Sequence, residues 1–232
     1  MNHAKRLLAA LFILAVVMAT GCNAPANRNS AATNSSAGNA SSPASGSASS
    51  TGSAGDAAAA MDGLTKSINA QLNAKAFRAR LDSTFDGQEM ARTIEYVAPD
   101  RFRMAGEADE TIIIGSNAWI RQNSGAWQKL PIDASQMIAS VRDPKMIDEI
   151  RKSAEVKLIG PDTLDGKPMT VYQYTLRNAM GMDMTSHAKA WISAADNLPR
   201  RMETETEIKG KTSKATITYF DYNADIKIDP PK

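Results

Sequence analysis

The stretch 77–97, FRARLDSTFDGQEMARTIEYV, decides the fold of this chain. Apolar and polar side chains alternate on both sides of Asp86-Gly87. A period of two is typical of a β-strand with one buried face, and Asp-Gly between two such runs is a hairpin turn signal. The stretch therefore predicts a pair of antiparallel strands.

Short apolar runs bounded by turn residues continue after this hairpin. Turn signals such as Pro99-Asp100 and Asp165-Gly166 separate them. The further predicted strands cover 101–105, 111–114, 118–122, 126–130, 155–159, 169–176, 187–192, 200–208 and 212–219. Many short strands with turns between them favour an antiparallel meander.

Helical periodicity occurs before the first strand and again in the middle of the strand series. Met61, Leu64, Ile68 and Leu72 recur at spacings of three and four, as on one face of a helix. Asp133 with Gln136 three residues later matches a capping box. The apolar stripe of this helical insertion comprises Met137, Ile138, Val141, Met146, Ile147 and Ile150. The sequence thus predicts an α+β fold.

The N-terminus has the layout of a secretory signal peptide. Lys5-Arg6 precedes an apolar run over 7–19, shorter than the roughly 20 residues that span a bilayer. Ala19-Thr20-Gly21-Cys22 resembles a bacterial lipobox, with Ala19 in place of the usual leucine. Cys22 is the single cysteine and has no partner for an internal disulfide. We expect removal of residues 1–21 and lipidation of Cys22; the alternative is an ordinary signal peptide followed by a free thiol.

Residues 22–58 predict a flexible tether. Ala, Ser, Gly, Asn and Thr dominate the stretch up to Ala60, and large apolar side chains are lacking. Such a segment buries too little apolar surface to offset its ordering entropy. Random-coil scaling gives it a reach of about 35 Å. The remaining residues, 59–232, fit one folded domain.

Charge and histidine content exclude several function classes. The chain holds 27 Lys and Arg against 25 Asp and Glu, and residues 1–21 contain two of those cations and no acid. A neutral mature chain lacks the basic surface of nucleic-acid-binding proteins. His187 is then the only histidine, so a Ser-His-Asp triad would depend on it. No phosphate-binding loop or G-x-S-x-G motif occurs. We therefore expect no enzyme, no catalytic residue, no cofactor and no metal site.

Two segments resemble the LolA/LolB outer-membrane lipoprotein-sorting family, whose fold LppX/LprG-type lipoproteins share. The first is Tyr96-Val97-Ala98-Pro99-Asp100-Arg101-Phe102-Arg103 with the hairpin that follows it. The second runs from Ala190-Trp191-Ile192 through Asn197-Leu198-Pro199-Arg200 to Tyr219-Phe220-Asp221-Tyr222. The resemblance covers about residues 60–230. It implies an open antiparallel half-barrel of about eleven strands over an apolar cavity, with a helical lid.

The resemblance also implies the ligands and the site. Acyl chains of lipids or lipoproteins are the expected ligands, and envelope transport proteins are expected partners. Strand alternation selects the side chains that would line the cavity. They are Phe77, Leu81, Ile94, Phe102, Met104, Ile113, Trp119, Val171, Met180, Met182, Met184, Trp191 and Ile217. Met137, Val141, Met146 and Ile150 would belong to the lid. A plain hydrophobic core would contain the same residues.

Met180-x-Met182-x-Met184 followed by His187 allows another interpretation. Thioethers are soft ligands suited to Cu(I). Alternate residues of an extended strand lie about 7 Å apart, so the three sulfurs would have to converge through a bent loop. Flexible thioethers also suit a cavity for acyl chains.

The main functional hypothesis is a lipid-anchored, non-enzymatic protein that faces the periplasm and binds acyl chains in lipoprotein or lipid trafficking. Asn23, after Cys22, is not the aspartate that resembles an inner-membrane retention signal, which favours the outer membrane. The alternative is a protein-interaction or stress-sensing module on the same fold. An envelope enzyme is a third class.

Overall fold

The computed structural model describes residues 54–135, 138–139, 145–177, 184–208 and 210–232. Within these ranges residues 135, 138 and 139 are helical, and the chain forms two α-helices with defined bounds and eleven β-strands. In chain order they are α1 (Ala54–Leu72), β1 (Ala76–Phe85), β2 (Gln88–Val97), β3 (Arg101–Ala105), β4 (Asp109–Ile114), β5 (Asn117–Gln122), β6 (Gln128–Lys129), α2 (Lys145–Ser153), β7 (Ala154–Leu164), β8 (Lys167–Arg177), β9 (Met184–Ser193), β10 (Pro199–Ile208) and β11 (Lys211–Phe220).

All eleven strands form one antiparallel sheet in the order β6-β5-β4-β3-β2-β1-β11-β10-β9-β8-β7. The first and last strands of the chain are neighbours at its centre, and β6 and β7 are its two edges. Because β6 and β7 do not pair, the sheet stays open. The predicted open half-barrel of eleven antiparallel strands, preceded by a helix, is confirmed.

The predicted hairpin forms with the expected register. Ala76 lies opposite Val97, and Phe85 lies opposite Gln88. Asp86 and Gly87 both have positive φ angles, 52° and 78°. Two positive φ angles define the type I′ turn, whose twist matches that of the flanking strands.

Several element boundaries differ from the sequence prediction; β7, for example, continues to Leu164 instead of ending at 159. α1 begins at Ala54, inside the stretch assigned to the tether. Four consecutive alanines, 57–60, extend the helix because alanine has the highest helix propensity, and Ala60 is buried. The strand predicted over 126–130 has only two residues, Gln128–Lys129.

The register divides the sheet into two faces, since directly opposite residues of antiparallel strands share a face. We call the face that carries Phe77, Ala79 and Leu81 the inner face, because Leu64 and Ile68 of α1 pack on it. We call the opposite face, which carries Arg78 and Arg80, the outer face. Ile147 and Ile150 of α2 join the same inner cluster, so both helices cover one side of the sheet.

Smaller clusters complete the packing at the sheet's periphery. Ala134 and Ile138 cover the inner face of β4 and β5 near Ile113. Ile226 and Ile228 of the C-terminal segment cover the outer face beside Ile112. The outer face is therefore partly apolar in its own right.

Candidate functional site

The inner face brings most of the predicted cavity residues together. Eight of them lie there, namely Phe77, Leu81, Ile94, Phe102, Met104, Ile113, Met184 and Ile217. Five, including Met184, belong to the cluster under α1, and Phe102 and Ile113 belong to the cluster under Ala134. The inner face is thus mostly apolar from β4 to β9, with an ion pair, between Arg92 and Asp109 at 2.6 Å, at its margin.

Three predicted cavity residues lie on the outer face instead, and their assignment to the same face as Phe77 was wrong. Trp119 lies opposite Ile112, and Val171 lies opposite Trp191. On the next strand, Ile112 and Trp191 are each opposite an arginine of the outer face. Val171 and Trp191 form a small separate cluster with Met169. Because side chains alternate with a period of two, a shift of one residue reverses the face.

Other predicted residues fall outside the described part of the chain. These are Cys22, Met137, Val141, Met180 and Met182. Met146 lies in α2, but its side chain is not among those that the structure describes. Ile150 packs into the inner cluster with an exposed fraction of 8%; its role in a lid stays a prediction.

In the Cu(I) interpretation, Met184 and His187 would bind the same ion, but their side chains lie on opposite faces of β9. Met184 is buried on the inner face, whereas His187 is exposed on the outer face. The Nδ1 of His187 lies 3.1 Å from the Thr175 hydroxyl. Ser186 faces the interior, so it cannot pair with the imidazole of its neighbour. Among the described residues, no three His, Cys, Asp or Glu side chains could hold a metal ion together.

Small side chains form the middle of the inner face, a feature that the sequence analysis missed. Ala79 of β1, Ala215 of β11 and Ala188 and Ala190 of β9 are 1–7% exposed, and β10 contributes Met202 and Thr204 between them. The only sequence signal of the alanines is alternation with polar residues, as in Ser186-His187-Ala188-Lys189-Ala190. These alanines, which we call the alanine floor, belong to the buried cluster under α1, where small side chains let the helix and the sheet approach closely.

An aromatic cluster closes one end of this floor. The Phe77 ring centroid lies 5.3 Å from that of Tyr96 and 5.8 Å from that of Tyr219. The Tyr222 hydroxyl donates to the Pro199 carbonyl at 2.9 Å. Burial raises the pKa of Tyr219 and Tyr222 above the usual value of 10.0, so both phenols stay neutral.

Hydroxyl side chains occupy the other end of the floor. Ser186, Thr206 and Ser213 lie side by side on β9, β10 and β11, with exposed fractions of 5%, 4% and 3%. Along β9 to β11 the inner face therefore changes from aromatic side chains, through alanines, to a row of small hydroxyls, beyond which Met184 and Ile208 lie.

A charged groove of about 840 Å³ lies on the outer face, behind this floor. Arg80 and Asp82 form an ion pair at its wall, Nε to Oδ2 2.8 Å, and Lys214 contacts Glu205 at 3.1 Å. The hydrogen bond from Arg80 holds the pKa of Asp82 below its usual 3.8. His187 also lines the groove. The outer face thus carries a charged groove beside its own apolar clusters, whereas the inner face is mostly apolar.

No helix in the described part of the chain is long and apolar enough to cross a membrane.

Comparison with known proteins identifies the fold. No protein-family model and no curated protein matches the chain. The solved structure of the lipoprotein LppX from Mycobacterium tuberculosis aligns with 74% of this chain and 99% of its own, with a TM-score of 0.56 and 12% identity. LprF from Mycobacterium bovis aligns with 75% of this chain and 97% of its own, with a TM-score of 0.56 and 12% identity.

A LolA-superfamily protein from Nitrosomonas europaea aligns with 74% of this chain and 94% of its own, with a TM-score of 0.30 and 10% identity. The chain is an open half-barrel with the same fold as LppX and LprF. At these identities the likeness defines the fold, and the function has to be argued from the two faces of the sheet.

Proposed function

We propose that this chain is a lipid-anchored, non-enzymatic protein of the bacterial envelope that binds acyl chains between its helices and the inner face of its sheet. Its task would lie in lipoprotein or lipid trafficking to the outer envelope. The observation that carries the proposal is the mostly apolar inner face with its buried small side chains, Ala79, Ala188, Ala190 and Ala215. Ligand sites are typically concave and mostly apolar, with few polar groups.

The anchor and the location belong to this proposal. Lipidation of Cys22 would tether the domain to a membrane with the half-barrel in the periplasm, and Asn23 favours the outer membrane. The structural neighbour LppX is described as a lipoprotein, which supports an envelope location. A single acyl chain gives weak, reversible membrane binding, so anchoring needs more than one chain.

The absence of catalysis is likewise proposed. His187 is exposed, and its hydroxyl contact is Thr175 on the neighbouring strand. Ser186 points to the opposite face and bonds to Thr206. The described residues thus give the histidine no serine nucleophile from its own strand.

Native mass spectrometry tests the proposal directly. The mature chain from residue 22, with Cys22→Ser to prevent lipidation, is purified gently from an expressing cell. We expect an adduct in the mass range of a phospholipid or an acyl chain. Removing the adduct and adding a fluorescent fatty-acid probe should restore a bound state. A clean apo mass and no probe uptake by the folded protein would contradict acyl-chain binding.

The charged outer groove favours one alternative, a protein-interaction or stress-sensing module. Its wall carries both signs of charge, including Arg80, Glu205 and Lys214, which suits a polar polypeptide better than a lipid tail. A specific protein captured with the chain in the absence of lipid would favour this alternative. Loss of the partner on Lys214→Glu, with no loss on the inner-face change Ala190→Val, would place that interface on the outer face.

A further inference from the structure

A row of three buried hydroxyls crosses the inner face at the end opposite the aromatic cluster. Thr206 of β10 lies directly opposite Ser186 of β9 and Ser213 of β11. All three are at least nine-tenths buried. Three adjacent polar side chains in an apolar layer are costly to bury unless they are hydrogen-bonded.

The three hydroxyls of the row do not satisfy all of one another's hydrogen-bonding groups. The hydroxyls of Ser186 and Thr206 share one bond of 2.9 Å, which uses one of their two hydrogens. The Ser213 Oγ is buried without a hydrogen-bond partner in the described part of the chain. Buried polar atoms are nearly always paired in native proteins, and each exception calls for an explanation.

The surroundings of Ser213 define what could pair with it. Ala215 and Ile217 follow it on the inner face of β11, and Phe85 lies directly opposite on β1. The nearest cation in sequence on that face, Lys211, is exposed and contacts Asp86 at 2.9 Å. The site is therefore a neutral hydroxyl beside apolar walls, which suits an uncharged hydrogen-bond acceptor attached to a hydrocarbon chain.

We propose that the Ser213 hydroxyl, at the end of the Ser186–Thr206 pair, donates to the carbonyl oxygen of an acyl group whose hydrocarbon tail lies over Ala215 and Ile217. The ligand class is a neutral acyl ester. This inference rests on the proposed function, because it places a polar anchor within the same apolar site. It gives the site a direction, with carbonyl at the hydroxyl row and tail toward the aromatic cluster.

Two ligands of equal chain length separate the anchor from the apolar site. Methyl palmitate and octadecane, each delivered from cyclodextrin, compete with a fluorescent fatty-acid probe on the mature Cys22→Ser chain. We expect the ester to bind about five- to tenfold more tightly than the alkane, which is the difference in affinity that one buried neutral hydrogen bond typically provides. Ser213→Ala should abolish this preference and leave octadecane binding unchanged. Ser193→Ala, at a buried outer-face hydroxyl, should preserve it.

The outcomes separate the two proposals. Ester preference that survives Ser213→Ala, or equal affinities in the parent chain, would overturn the anchor while leaving acyl-chain binding intact. Failure of both ligands to displace the probe would count against the proposed function as well. Palmitate serves as a third competitor. Palmitate could bind more tightly than the ester and lose this advantage on Ser213→Ala. That result would support the carbonyl anchor and would identify the ligand as a free fatty acid.

Thermal stability of the ligand-free protein gives an independent test. Ser213→Ala removes an unpaired buried hydroxyl, so we expect its Tm to stay equal or rise. Thr206→Val leaves Ser186 without its partner, so we expect a lower Tm. A clear fall in Tm for Ser213→Ala would show that this hydroxyl is bonded within the protein, and would overturn the anchor.

Discussion

Glu110 and Arg103 form an ion pair on the outer face, with 2.6 Å between Oε1 and Nε. Arg121 donates to the other carboxylate oxygen of Glu110 at 2.6 Å. Arg103 also contacts Glu95, which accepts from Arg78 at 2.7 Å. Charges of alternating sign therefore run across β1 to β5. This ladder links β1 to β5, so we expect it to contribute to the stability of this half of the sheet.

We expect Glu110→Gln to lower the free energy of unfolding by about 1–3 kcal/mol, because two arginines lose a shared, largely buried partner. Urea denaturation monitored by circular dichroism measures the change. Glu89→Gln, at an exposed position of β2, is the control and should stay within about 0.5 kcal/mol of the parent. Equal effects of the two substitutions would show that the ladder contributes nothing specific.

The contact between Trp191 and Asp162 should be sensitive to acid. The indole Nε1 donates to Asp162 Oδ2 at 2.8 Å. This hydrogen bond, with one from the Thr163 backbone, holds the pKa of Asp162 below its usual 3.8. A lowered folded-state pKa means that the contact contributes stability above pH 3.8, which is lost as the pH falls through the folded-state pKa.

We expect the NMR signal of the Trp191 indole N–H to shift with a midpoint below pH 3.8, and Asp162→Asn to remove this transition. The Trp119 indole, on another strand, is the internal reference. A midpoint at or above 3.8 would mean that the hydrogen bond does not favour the ionised carboxylate.

α1 approaches β8 so closely at Gly63 that a Cβ there would collide with the Tyr172 hydroxyl. Alanine is the better helix former by about 0.5–1 kcal/mol, yet we expect Gly63→Ala to destabilise the protein by roughly 1–3 kcal/mol through overpacking. The change in Tm measures this. In a Tyr172→Ala background the same substitution should become stabilising, because the obstruction is gone. Destabilisation of equal size in both backgrounds would exclude the steric explanation.

The sheet was predictable because its turns carry local signals. Asp86-Gly87 and Asp165-Gly166 adopt the positive φ angles that their residue types permit, and period-two alternation between such turns defines the strands. The order of strands in the sheet, with β1 beside β11, depends on contacts between the chain ends. Local pattern carries no such information, and the family resemblance implied an open half-barrel of about eleven strands without giving their order.

Which side of the sheet a side chain faces was harder to predict where apolar residues follow one another in sequence. Trp191-Ile192 and Ile112-Ile113-Ile114 place apolar side chains on both faces. The outer face uses Trp191 in its own contacts, with Lys189 over the ring at 4.3 Å. Size and hydrophobicity alone therefore pointed to the wrong face for Trp119, Val171 and Trp191. The alanines and the Ser213 hydroxyl were missed because small residues give no such signal.

The alanine floor gives the last prediction, which distinguishes an open site from a packed core. Ala215→Leu places a larger side chain on the inner face beside Ser213. If ligand occupies that space, uptake of the fluorescent fatty-acid probe should weaken by roughly tenfold, with little change in the Tm of the ligand-free protein. If the space is closed, overpacking should instead cost about 1–3 kcal/mol of stability. Thr216→Leu, one residue along on the outer face, is the matched control and should leave uptake unchanged. A large fall in Tm with unaltered uptake would place the acyl chain elsewhere, because the floor would then be ordinary core.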